Sequence, residues 1–222
     1  MKRLSPRIFL YAAALSATLF ASTALAGPPL LCHPFDTAGA PSLAWSGKGW
    51  NQARSDYDLG KLVANTSVLL TPDTPVIARM ETLRRASIYA SRDGAVARAL
   101  ATHLNARIAK ASTPEARALA LFDAGYYAET LQDIVRLQGY DMPGVGKADT
   151  AALRAIVAKG DGSAKIGQAL RLRPTDSGMN FAAALVATAD ERKADVVSHT
   201  RLARAGIGRD RLVAMNIGKI SN

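Results

Sequence analysis

An all-α fold is predicted by three features of the chain. Apolar residues recur at three- and four-residue steps through successive segments, caps and breakers separate those segments by short connections, and no period-two alternation runs long enough to argue for a sheet. The expected architecture is a single helical domain, a bundle or a stack of helical hairpins with about seven helices. An irregular N-terminal arm precedes it.

Residues 1–26 read as an export signal. Lys2, Arg3 and Arg7 form a basic start, Ile8 to Leu19 an apolar stretch, and Ala24-Leu25-Ala26 a small-x-small cleavage pattern. Leu31 before Cys32 is too large for a lipid-attachment site. Residues 27–56 are rich in Pro, Gly and Ser and carry no period. Leu30, Leu31, Phe35, Leu43, Trp45 and Trp50 nevertheless give this stretch too much apolar surface to stay solvated, so it is expected to lie along the helical body.

Residues 57–222 are read as the helical domain. A first helix is expected over Asp58 to Leu70. Thr71-Pro72-Asp73-Thr74-Pro75 ends it and starts a second, with Thr74 as cap, running to about Ser91 and carrying Glu81 beside Arg84 and Arg85. Arg92-Asp93-Gly94 turns into a third, amphipathic through Val96, Leu100, Leu104 and Ile108.

The fourth is the longest and most regular. Thr113 can cap it, Pro114 suits the first helical position, and Gly139 with Pro143-Gly144 should stop it after Gln138. Asp123 falls inside its apolar stripe. Shorter helices are expected over Asp149 to Lys159 and Ala164 to Arg173. A longer one opens at Ser177, weakens near Ala189-Asp190 and continues as a basic segment to about Ala205, before a last short helix over Arg209 to Ile217.

Four segments carry a resemblance: Leu30-Leu31-Cys32-His33-Pro34-Phe35, Arg79 to Ala86, Leu121 to Tyr127, and Met179 to Leu185. In this order, over nearly the whole chain after the leader, they resemble a group of exported bacterial helical proteins of uncharacterised function. That resemblance implies export and a single helical unit, and it implies no catalytic residue.

Composition narrows the function classes. The chain has 28 basic and 18 acidic side chains and a net charge of +10. The leader holds three of the basic ones and no acid, which leaves +7 (10 − 3) and favours anionic surfaces, while export makes nucleic acid a poor partner. No later stretch is apolar enough to span a bilayer after signal cleavage. One cysteine excludes an intramolecular disulfide, and one cysteine with three scattered histidines argues against a zinc site. Cys32-His33 lacks the flanking sequence of thiol peptidases. Gly144-Val145-Gly146-Lys147 is a turn rather than a phosphate loop, because Asp141 stands where the first glycine belongs and Ala148 where Ser or Thr would hold magnesium. No cofactor is expected.

Asp123 is the most informative polar residue, since a carboxylate on an apolar face must find partners. It reads as a buried acid paired with Arg84, Arg85, His103 or a tyrosine hydroxyl, or else as a general base. His103 borders its helix's apolar face, and His199 lies in a basic segment that reads as solvated. Arg192, Lys193, Arg201, Arg204, Arg209, Arg211 and Lys219 form a basic C-terminal run that is either a solvated face or a site for an anionic partner.

The leading expectation is a periplasmic or secreted, non-catalytic binding or scaffold protein. Its partner, a protein or an anionic cell-envelope polymer, would meet a groove between helices or a basic face, with Arg84, Arg85, Arg192, Lys193, Arg201 and Arg204 as candidate contacts. The competing expectation is a hydrolase with a site around Asp123, His103 and Tyr126 or Tyr127.

Overall fold

A computed structural model describes residues 29–137 and 146–220. The leader, its cleavage site and the stop signals at Gly139 and Pro143-Gly144 lie outside the described residues. Nine α-helices and no strand are found among the described residues, so the chain is all-α with a slightly higher helix count than expected.

A 3-10 turn, Leu59–Lys61, leads into α1 (Leu62–Leu69). Then come α2 (Val76–Ala90), α3 (Gly94–Lys110) and α4 (Pro114–Arg136). They are followed by α5 (Thr150–Val157), α6 (Gly162–Leu172), α7 (Ser177–Ala189), α8 (Lys193–Ala205) and α9 (Arg211–Asn216). The extra count arises where the segment after Ser177 divides. Glu191 adopts φ +58, which breaks the hydrogen-bond ladder and separates α7 from α8.

Capping explains most starts and corrects two expectations. Thr113 Oγ1 accepts the Ala116 N–H with Pro114 behind it, and Asp93, Asp149 and Asp161 cap α3, α5 and α6. The α7 cap is Asp176, which accepts the Met179 N–H, and not Ser177. Ser177 instead donates to Asp210, itself the cap of α9. Thr74 does not cap α2 either. Its hydroxyl donates to the Leu69 carbonyl, closing the turn between α1 and α2.

The fourth helix is the axis of the molecule, and α2, α3, α5, α6 and α7 all pack on it. Its approach to α6 is backbone-close: a Cβ on Gly125 would lie 2.7 Å from the Gly162 carbonyl oxygen and 3.1 Å from the Ile166 nitrogen. Glycine at both helices is what admits that distance. The second helix is buried nearly all round, including Arg79, Glu81 and Arg84, although its sequence shows one apolar face.

The reason is the arm. Leu30, Leu31, Phe35 and Leu43 are buried in the same core as α2, α4 and α7, and Phe35 meets Phe181 edge to face at 6.0 Å. An irregular chain so placed must find partners for its backbone groups, and side chains supply them. Asp133 accepts the Leu30 N–H, Glu81 the Phe35 N–H, and Asn216 both accepts from the Asp36 N–H and donates to its carbonyl.

Candidate functional site

Two buried charge clusters account for the most conspicuous polar residues. In the first, Arg79 Nη1 donates to both carboxylate oxygens of Asp123, at 3.0 and 2.7 Å, and Arg107 Nη1 donates to Oδ2 at 3.0 Å. The same guanidinium groups donate to the carbonyls of Leu70, Thr71 and Thr74. Asp123 therefore ties the α1–α2 turn to α4 through two arginines. It is paired, as an acid on an apolar stripe must be, but its partners are Arg79 and Arg107 rather than Arg84, Arg85 or His103. Burial pushes its carboxyl up and the two guanidinium groups oppose this.

In the second cluster, Arg84 donates to both oxygens of Glu81 at 2.8 Å and Arg85 donates to Oε1 at 2.7 Å. Arg84 also reaches the Leu31 and Trp50 carbonyls, and Arg85 the Leu43 carbonyl. Both guanidinium groups lie over the Trp45 ring, at 5.3 and 5.5 Å from its centroid. This cluster clamps the arm onto α2. Arg84 is fully buried, so it offers no surface to a partner, and Arg85 exposes only an edge.

The residues proposed for a hydrolytic centre make no hydrogen bond with one another among the described residues. His103 shares a hydrogen bond with Ser67 Oγ at 2.8 Å, and burial with nearby Arg107 and Lys110 holds its pKa below the ordinary value. Tyr126 is completely buried and its hydroxyl lacks a hydrogen-bond partner, while Tyr127 donates to the Ala97 carbonyl. Burial pushes both phenols up, so neither ionises near neutrality. Asp123 has no surface for a substrate to reach. Burial and Asp133 push the half-buried Cys32 thiol up to about 11, away from the thiolate a nucleophile requires. His199, expected to be solvated, is half-buried and bonded through Nδ1 to Asn180 Oδ1 at 3.0 Å. Among the described residues no group of three or more His, Cys, Asp or Glu is arranged to hold a metal.

The open site is a groove of about 340 Å³ where α3, α4, α5 and α6 converge. Its floor is apolar, made by Ala101, Ala124, Tyr127, Ala128, Ala155 and Ile156. Its rim is cationic: Arg98 from α3, Lys159 from the end of α5, and Lys165 from α6, whose ammonium folds over Gly160. No acid lines it, and none of the three cations makes an ion pair among the described residues. A cleft of about 660 Å³ at the starts of α2, α7 and α9 is larger but electrically balanced. There Asp176 pairs with Arg173 while capping α7, and Asp210 caps α9.

Sequence reasoning did not single out Arg98, Lys159 or Lys165. Arg98 is exposed on α3, Lys159 lies in the turn after α5 and Lys165 is on α6; a lone cation in any of these places signals nothing, and only the convergence of four helices brings them to one rim. Of the C-terminal candidates, Arg192 is engaged by Asp195, Asp190 and Ser163, whereas Lys193, Arg201 and Arg204 are exposed on α8.

No family model matches the chain, and no curated protein or solved structure is significantly similar to it. The resemblance to uncharacterised exported proteins rests on its four segments. No helix of the described residues is long and apolar enough to cross a membrane.

Proposed function

We propose that the protein is an exported binding module of the cell envelope, not an enzyme, and that the groove between α3 and α6 is its ligand site. The ligand is an anion, a carboxylate or phosphate ester, carried on an apolar body. It is either a free small molecule or the exposed end of an envelope component.

The observation that carries this reading is the groove's composition. Three cations that make no ion pair among the described residues face an apolar floor, so an apolar body is desolvated below while its charged head meets Arg98, Lys159 and Lys165 above. The volume is at the small end of the range usual for ligand pockets, roughly 300–1,000 Å³. Export is supported by the leader pattern of residues 1–26. The hydrolase alternative has no comparable support, because its acid is sealed beneath two guanidinium groups.

Amide chemical shifts during titration with octanoate, octyl phosphate and octanol test the reading. Both anions should shift Ala101, Ala124, Ala128 and Gly160, with octanol much weaker. The Arg98→Glu/Lys165→Glu variant should weaken the anions by an order of magnitude or more, since each charge contributes about 1 kcal/mol even at the dielectric of water. Equal binding of octanol, or no response of these amides to either anion, would refute the proposal.

A further inference from the structure

We propose that α8 and the turn after it form a second site, independent of the groove, that docks the protein onto an anionic phospholipid surface. Lys193, Val197, Arg201 and Arg204 follow one another at steps of four, four and three, so they share one face of α8, and all four are exposed. The opposite side holds the helix to the body through buried Ala203 and the His199–Asn180 hydrogen bond.

Exposed apolar side chains cluster in the same part of the chain. Of the five large exposed hydrophobics among the described residues, three are Val197, Ile207 and Met215, which are 65%, 44% and 43% exposed. Val197 lies between Lys193 and Arg201, Ile207 closes the turn after α8, and Met215 is on α9, which packs against α8. Beside the stripe runs a notch of about 360 Å³ lined by Val196, Val197, Thr200, Arg201, Arg204 and Ile220. Thr200 Oγ1 is buried there without a hydrogen-bond partner.

Glu191, exposed two residues before Lys193, offsets one charge, and the cations of this face remain in excess because the other local acids are engaged elsewhere. Asp195 is engaged by Arg192, Asp190 by Arg136 and Arg192, and Asp210 by the α9 N–H groups and Ser177. Lys193, Arg201, Arg209 and Arg211 make no ion pair among the described residues.

Charge complementarity selects an anionic partner, and the side-chain chemistry selects lipid among anionic partners. Val197 and Ile207, exposed beside Lys193 and Arg201, suit an acyl boundary beneath phosphate headgroups, where insertion and charge act together.

Vesicle co-sedimentation of the leader-free chain tests this. Vesicles enriched in phosphatidylglycerol should retain the protein at low salt and release most of it at high salt, and phosphatidylcholine vesicles should not retain it. Arg201→Glu with Lys193→Glu should weaken retention at least 25-fold, about fivefold for each cation lost. Val197→Asp should weaken it with no change in melting temperature, because the residue is exposed. The groove variant Arg98→Glu/Lys165→Glu should bind vesicles like the wild type, which separates this site from the ligand groove. Absence of retention on phosphatidylglycerol, retention unaffected by the α8 changes, or capture by purified envelope polysaccharide without capture by vesicles would each overturn the proposal.

Discussion

Replacing Asp123 by Asn keeps the shape of the side chain and removes its charge. Among the described residues Asp123 is the one carboxylate that the fully buried Arg79 side chain meets, so the variant leaves a guanidinium group in the interior with neutral acceptors only, the new amide oxygen and the carbonyls of Thr71 and Thr74. Arg107 is less affected, because 28% of its side chain is exposed and can be hydrated. Breaking a buried pair by removing one partner costs about 3–5 kcal/mol. For a domain of this size each kcal/mol lowers the melting temperature by about 2–4 °C, which gives a drop of about 6–20 °C. Circular dichroism melts and urea titrations measure it, with the urea slope unchanged if only stability has altered. A second variant isolates the cause. Arg79→Met/Asp123→Leu removes both buried charges together, which is often close to neutral, so it should melt well above Asp123→Asn. An unchanged melting temperature for Asp123→Asn, or a double variant no better than the single, would refute the account of Asp123 as the counter-ion of Arg79.

The arm, the α4–α6 contact and Glu129 each supply a further expectation. Arg84→Met removes the bonds to Glu81, Leu31 and Trp50, so amide exchange over residues 30–54 should quicken while α4 stays protected; equal acceleration throughout would show that the arm is not a separate unit. Gly125→Ala forces a Cβ against the Gly162 carbonyl and should cost about 1–3 kcal/mol in urea titrations, and a neutral result would mean that α4 and α6 can separate freely. Burial, with Asp190 nearby, pushes the Glu129 carboxyl up from 4.5 to about 7. The folded state then holds its proton more tightly than the unfolded one, so this stabilisation is complete below the unfolded value and is lost as pH rises through the folded value, by about 3 kcal/mol at most. Glu129→Gln should flatten that decline in a series of melts, whereas an unchanged pH profile would place the titration elsewhere.

Much of the fold is legible one residue at a time. Thr113-Pro114, Asp93, Asp149 and Asp161 announce helix starts because a cap acts on the next two or three residues of its own chain. The arm's burial is legible too, since Leu30, Leu31, Phe35 and Leu43 would leave a large apolar surface in water otherwise. The start of α7 is ambiguous in sequence because two acceptable caps stand side by side. Asp176 and Ser177 can each cap α7, and the choice follows from Asp210, which holds the serine from 33 residues away.

Partner choice was not legible. Asp123 announces that a counter-charge exists, but Arg79, Arg84, Arg85 and Arg107 are equally basic in sequence. The directions of the α2 and α3 side chains assign the first and last to Asp123 and the middle two to Glu81. The groove is similar: Arg98, Lys159 and Lys165 belong to separate segments, and no local pattern makes them neighbours.

By itself, the sequence determined the helical class, some of the helix starts, the hydrophobic arm and the positive balance, because periodicity, capping and composition act over a turn or two of chain. Tertiary structure alone decided which charges neutralise each other in the core and which stand exposed around a groove or along α8, because those placements depend on distances between segments far apart in the chain.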